Sequence, residues 1–416
     1  MSSTPTLNRF LRYISVASQA DPNSKTIPSS PGEADVSRLL LSELTEMGIE
    51  AEYDESSGIL YATLPSNVEH DVPVIGWIAH VDTAPNMSGV GIRPRIVHDY
   101  DGADIVLNEE LGIILSTQMF PEMKDYCGQD LVVTDGTTLL GADDKAGVAE
   151  IMTMLANFVK HPELPHGTLK IAFTPDEEIG RGTDHFDIKK FGAEFAYTVD
   201  GGRLGEIEYE NFNAAAAIVK VHGTSIHPGS AKGKMKNALL MFMEFHNKIP
   251  ADMNPACTDG YEGFYHLEAM SGDVELATGE YIIRDHDKEL FEAKKTKMLE
   301  WADELNEKYG AGTVMIELKD SYYNMKEKVE PHMHLIDHAR LAMESLGIET
   351  EIVPVRGGTD GAHLSFMGLP CPNLCTGGHN YHGRYEYVPV QSLEKISLIL
   401  QEISMRYARF GTNTEQ

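Results

Sequence analysis

Apolar residues recur along this chain with two periods, and the switches between them mark out its elements. Residues 7–18 read as a first helix. Ser30-Pro31-Gly32-Glu33 has the form of a capping box with proline at the first helical position. The helix it starts carries Val36, Leu39, Leu40, Leu44 and Met47 on one face and stops at Gly48. Residues 74–80 (VIGWIAH) are a near-continuous apolar run, as expected for a strand buried on both faces of a sheet. Leu140-Gly141 leads into a helix with Val148, Ile151, Met152, Leu155, Phe158 and Val159 at helical spacing, and residues 169–174 and 195–199 are two further strands. This alternation predicts an α/β layered domain with a mainly parallel sheet.

The texture changes near Asn211. A long strand over 212–222 is followed by a helix around 231–246 and by strands over 264–270 and 274–284. Then come an amphipathic helix with Phe291, Met298, Trp301 and Leu305 inward, and a strand over 313–318. That order is the split βαβ, ferredoxin-like plan of a small α+β domain. After about Tyr323 the α/β texture returns, with a helix holding Leu335, Ala339, Ala342 and Leu346, a strand over 351–355 and a last helix holding Leu393, Ile396, Leu400, Ile403 and Tyr407. The expected organisation is a discontinuous domain of residues 1–211 and 325–416, with a small domain of 212–324 inserted into it.

Composition narrows the function. The 416 residues carry a net charge of −30, which leaves no basic stripe for nucleic acid and disfavours an anionic membrane surface. No apolar window reaches the length of a membrane span. Four cysteines, Cys127, Cys257, Cys371 and Cys375, are no disulfide framework; free thiols in a reducing cytoplasm are expected.

Four acidic or histidine clusters fall just after predicted buried strands, where open α/β sheets collect ligands. His80-Val81-Asp82 puts two side chains on one face, so a carboxylate can orient a metal-binding imidazole. Gly141-Ala142-Asp143-Asp144-Lys145-Ala146-Gly147 has two acids where a helix cap needs one. Thr174-Pro175-Asp176-Glu177-Glu178 gathers three acids beside a core strand, which is costly without cations; one glutamate suits a ligand and its neighbour a general base. Val199-Asp200-Gly201-Gly202 adds a fourth acid. A further histidine must come from elsewhere, and Gly378-His379-Asn380-Tyr381-His382-Gly383 offers two that spacing does not separate. His334 and His338 lack the glutamate of the helical zinc motif and read as a helix face. Imidazole and oxygen donors without thiolate suit zinc, with cobalt or manganese as alternatives, and the number of acids suits two ions. There is no Gly-x-Ser-x-Gly elbow and no phosphate loop.

Taken together, HVDT at 80–83, GADDKAG at 141–147, TPDEEIGRG at 174–182, TVDGG at 198–202, GTSIHPG at 223–229, RGGTDGAH at 356–363 and GGHNYHG at 377–383 resemble the M20 co-catalytic zinc peptidases, in family order. The resemblance implies that His80 and Asp200 hold one zinc, that Glu178 and His382 hold the other, and that Asp143 bridges them, giving two Zn2+ per subunit. It also implies a cis peptide between Asp143 and Asp144. Asp82 would orient His80, and Glu177 would be the general base. His227 would stabilise the oxyanion from a lid domain that also makes a homodimer. Arg284, with Arg356 as a second candidate, would hold a substrate carboxylate. The implied activity is release of the N-terminal residue from tripeptides. A sibling dipeptidase, carboxypeptidase or deacylase, and a non-catalytic metal- or peptide-binding protein, are the alternatives.

Overall fold

Three apolar runs of the first half, Ile75–His80, Leu169–Thr174 and Phe195–Gly201, lie side by side as parallel strands in the computed structural model, which describes residues 4–414. Every residue of Ile75–His80 is buried, as its unbroken apolar character requires. Asn373–Cys375 extends the parallel core beside Phe195–Gly201. Ile59–Leu64 and Glu50–Asp54 add antiparallel strands at one edge, and Glu206–Glu208 and Glu351–Ile352 complete an eight-stranded, mainly parallel sheet at the other. The helix Ala142–Lys160 packs on its centre, and Ile59, Ile78, Ala172, Phe191, Leu364 and Leu369 form a buried cluster.

The chain divides into two compact units. The first runs to Tyr209 and takes in Glu327–Val353 and the chain from Thr359 onward; the second is Glu210–Lys326 with Pro354–Gly358. Residues 1–3 and 415–416, which the expected domain limits include, lie outside the described residues. In the second unit four antiparallel strands are ordered Phe264–Gly272, Leu276–Asp285, Asn213–His222, Val314–Tyr322. Ala238–His246 and Lys288–Tyr309 cover one face of this sheet through Phe242, Phe245, Tyr281, Phe291 and Trp301. This is a split βαβ arrangement.

Three local expectations shift. The first helix is Pro5–Tyr13 and not 7–18, because residues 18–20 run beside residue 83: Thr83 N donates to Ser18 O and Ala20 N to Thr83 O. The helix expected around 231–246 begins at Ala238. Asn237 caps it by accepting from Leu239 N and Leu240 N, while Lys236 pairs with Thr224 upstream. Residues 354–358, assigned above to the discontinuous domain, belong to the second unit. Proline at 354 closes the short strand Glu351–Ile352, and Val355 N donates to Glu210 O, a second-unit carbonyl.

Candidate metal centre

The first unit brings the strand-end acids and histidines to one place. His80 ends its strand, Asp200 lies near the end of Phe195–Gly201, and Glu178 sits in the single turn Glu177–Ile179 that follows Leu169–Thr174. Asp143 stands at the start of Ala142–Lys160, where Asp143 and Asp144 depart from helical backbone geometry and the peptide between them is cis. His382 arrives on the loop before Tyr387–Pro389 with a positive φ of 61°.

Asp143 is the hub. Its Oδ1 lies 2.9 Å from His80 Nε2 and its Oδ2 lies 3.0 Å from His382 Nε2. Asp200 Oδ1 is 3.5 Å from the same His80 nitrogen, and Glu178 Oε2 is 3.0 Å from His382 Nε2. His80, Asp143 and Asp200 form one group whose ligand atoms all lie within 4.8 Å of one another; Asp143, Glu178 and His382 form a second. The other ring nitrogen of His80 lies 3.1 Å from Asp82 Oδ1. Asp82 also accepts from the backbone N–H of Glu177 and of Glu178, so one buried carboxylate orients the imidazole and the acidic turn together.

The donor set fits divalent ions. It offers imidazole nitrogen and carboxylate oxygen with no thiolate. Glu178 Oε1 is buried with no hydrogen-bond partner among the described residues, an arrangement that a bound cation would resolve. The electrostatics point the same way. Burial, with His80 opposing, pushes Asp200 up to about 7. Burial also raises Glu177 well above the usual carboxylate range, and Asp200 adds to it. His382 is raised to about 11 by its hydrogen bonds to Asp143 and Glu178. Burial lowers His80, but the surrounding Asp200, Asp82 and Asp143 outweigh it and hold the imidazole well above its usual range. Asp143 is held below the usual carboxylate value because bonds to His382 and His80 outweigh its burial.

The structure separates the two histidines left open by spacing. His382 faces Asp143 and Glu178, whereas His379 stacks on Tyr387 at 4.7 Å and sits 2.7 Å from Tyr126 Oη, away from the acids. His338 packs against Tyr407 in the interior, and His334, half-buried, packs against the same ring, so neither stands on a fully solvated helix face.

Several buried residues around the centre were given no role from sequence. Asp144 Oδ2 accepts from the backbone N–H of His80, which accounts for the second acid of the pair. Lys145, fully buried, donates to Ser18 Oγ at 2.6 Å, and Ser18 Oγ donates to Val81 O. Asp360 accepts from Thr174 Oγ1 beneath the acidic turn. The adjacent Asp143-Asp144 pair and the lysine after it were visible signals; for Asp360 nothing local marked the contact.

The remaining candidates lie in the second unit. His227 is exposed and caps the turn Pro228–Ser230, its Nδ1 accepting from Gly229 N. Arg284 Nη1 donates to Arg356 O, and its guanidinium lies 5.9 Å from the Phe264 ring. Arg356 donates through Nη1 to the carbonyls of Gly260 and Glu262, and through Nη2 to the carbonyl and hydroxyl of Thr258. Both amino groups of Arg356 are therefore occupied in tying 354–358 to its own unit.

Comparison with known proteins converges on one family. The family model described as Peptidase family M20/M25/M40 matches residues 133–406. The chain is 55% identical over 406 residues to Peptidase T of Caldanaerobacter subterraneus subsp. tengcongensis, a span covering 97% of this chain and 99% of that relative. It is 54% identical over 397 residues to Peptidase T of Geobacillus sp. (strain WCH70), covering 95% and 97%. Aminopeptidase PepT from Bacillus cereus has a TM-score of 0.76 at 25% identity, covering 98% of this chain and 99% of that one. A tripeptidase from Staphylococcus aureus has the same fold, with a TM-score of 0.78 at 21% identity and coverage of 98% and 99%. With a family match over 133–406 and relatives more than half identical along nearly its whole length, the chain belongs to peptidase family M20/M25/M40.

Proposed function

We infer that the chain is a metal-dependent aminopeptidase that releases the N-terminal residue of tripeptides. The observation that carries the reading is Asp143, with one carboxylate oxygen against His80 and the other against His382. The names of its relatives, Peptidase T, support the substrate. His80 and Asp200 would hold one ion, Glu178 and His382 the other, and Asp143 both. We assign zinc on the donor set, with cobalt and manganese as alternatives. Two such ions, when bound, polarise the scissile carbonyl and acidify the attacking water.

The protein's own groups do the rest. Glu177, lodged in the acidic turn, takes the proton of the attacking water and delivers it to the departing amine. Asp82 fixes the His80 ring and, through its two backbone contacts, the position of Glu177. His227 donates to the developing oxyanion, in keeping with the family resemblance. Arg284 is the candidate for the substrate carboxylate. Arg356 suits that role less, its amino groups being held by carbonyls of its own unit. The second unit, taken as the inserted domain of about 212–324, serves as lid and as the contact of a homodimer. Among the described residues no helix is long and apolar enough to cross a membrane. All four cysteines are free, which supports a cytoplasmic enzyme of peptide breakdown.

An unblocked tripeptide assayed before and after chelation tests the reading. Hydrolysis should cease on chelation and return with added zinc, and an N-acetylated tripeptide should resist cleavage. Turnover that survives exhaustive chelation would reject the metal assignment, and cleavage of the blocked peptide would reject the aminopeptidase.

A further inference from the structure

Four successive backbone N–H groups converge on one buried carboxylate. Leu140 N and Gly141 N donate to Glu386 Oε2 at 2.6 and 2.9 Å, and Ala142 N and Asp143 N donate to Oε1 at 2.7 and 3.2 Å. Glu386 is 2% exposed. Gly141 has a φ of 77°, which turns consecutive amides towards the same side and forms a concave anion-binding nest. A carboxylate has acceptor sites for all four donors. No side chain with a single acceptor oxygen satisfies them equally.

The two partners of this contact each lead to a proposed ligand. The nest ends at Asp143. Glu386 lies four residues after His382, on a loop whose base is closed by mutual hydrogen bonds, His379 N to Tyr387 O at 2.9 Å and Tyr387 N to His379 O at 3.1 Å. The carboxylate thus ties the loop of one ligand to the turn of another. We propose that Glu386 is a positioning residue that sets the spacing of Asp143 and His382, and with it the ion position formed by Asp143, Glu178 and His382. This rests on the metal-centre reading above.

A purely structural role would leave metal binding alone once the protein is folded. Glu386→Gln is the discriminating change, because it keeps the length but turns an NH2 towards two of the four donors. Wild type and variant, both stripped by chelation, are titrated with Co2+ and followed by visible absorption. Hydrogen exchange of the 140–143 amides is read in the metal-free proteins, and kcat and KM are measured on a tripeptide. The folded variant should exchange faster at 140–143 and bind one Co2+ equivalent roughly 10- to 100-fold more weakly, with kcat reduced by a similar factor. KM should stay within about twofold. If Glu386→Gln does not fold, Glu386→Asp, which keeps the charge but is one methylene short, carries the same comparison. A folded variant with wild-type Co2+ affinity for both equivalents overturns the proposal, whatever its exchange rates. Wild-type protein that takes up no Co2+ overturns the metal-centre reading itself, and this inference with it.

Discussion

Glu177 and Glu178 are neighbours in one short turn, yet their surroundings differ in a way that suits the separate roles proposed for them. Glu178 Oε2 faces His382, while the half-buried Glu177 has its carboxyl held well above the ordinary range, chiefly by desolvation and then by the nearby Asp200, Asp360 and Glu178. A group in that setting holds a proton readily and is suited to passing it on. Glu177→Gln preserves shape and leaves the five proposed ligands untouched. Its kcat should fall by about 10²–10⁴ while bound metal per subunit is unchanged. Turnover and elemental metal analysis on the same preparation decide this, and a variant that turns over normally would remove Glu177 from the base role. Asp82 shows why the pair is held so firmly, since a single carboxylate fixes both the His80 ring and the backbone of the acidic turn.

At the scale of elements, the centre depends on how closely the helix Ala142–Lys160 approaches the strand Phe195–Gly201. A Cβ on Gly147 would stand 1.9 Å from the Val199 carbonyl oxygen and 2.5 Å from Asp144 Oδ1. Asp143 rides on the helix and Asp200 on the strand, so the glycine sets the distance between two proposed ligands. Gly147→Ala should lower stability by about 1–3 kcal/mol through overpacking, read as a lower urea midpoint, and should reduce metal retention on dialysis. A variant as stable as wild type would show that helix and strand can part at no cost. This geometry also explains what could be read from the chain alone. Strand-end acids were legible because a continuous apolar run followed by Asp or Glu is a local pattern, as in VIGWIAH and FAYTVD. Spacing alone did not choose between His382 and His379, and only the family resemblance pointed to His382, because the difference turns on a loop closed by contacts with Tyr387 and Tyr126. Glu386 was invisible for a similar reason, since its partners are backbone amides more than two hundred residues away. Pro354–Gly358 was placed with the wrong unit because only tertiary hydrogen bonds, from Val355 and Arg356, assign it.

For the molecule as a whole, the net charge of −30 makes acid titration a broad background against which single buried groups must be resolved. His338 is such a group. It is fully buried, its Nε2 lies 2.9 Å from Gly411 O, and its Nδ1 has no hydrogen-bond partner among the described residues. Burial pushes its pKa down to about 4, with Arg406 adding to the fall and the Gly411 carbonyl and Asp337 opposing it. His334, also against Tyr407, is lowered to about 4 by burial and by His338 and His332. The sign follows from proton binding. Above the unfolded value of about 6.5, both states are neutral and stability is complete. Between about 6.5 and 4 the unfolded chain takes up protons that the folded chain refuses, so stability falls as pH falls; below about 4 both states are protonated and the loss levels off. For His338 the loss is on the order of 3 kcal/mol over that whole window, of which about 2 kcal/mol is reached by pH 5. His338→Gln keeps a donor for Gly411 but cannot titrate. Urea midpoints at pH 7.5 and 5.0 should therefore fall less on acidification in the variant than in wild type, the carboxylate background being common to both. Equal falls in the two proteins would mean that His338 is protonated in the folded state as easily as in the unfolded one, and that its burial does not couple folding to pH.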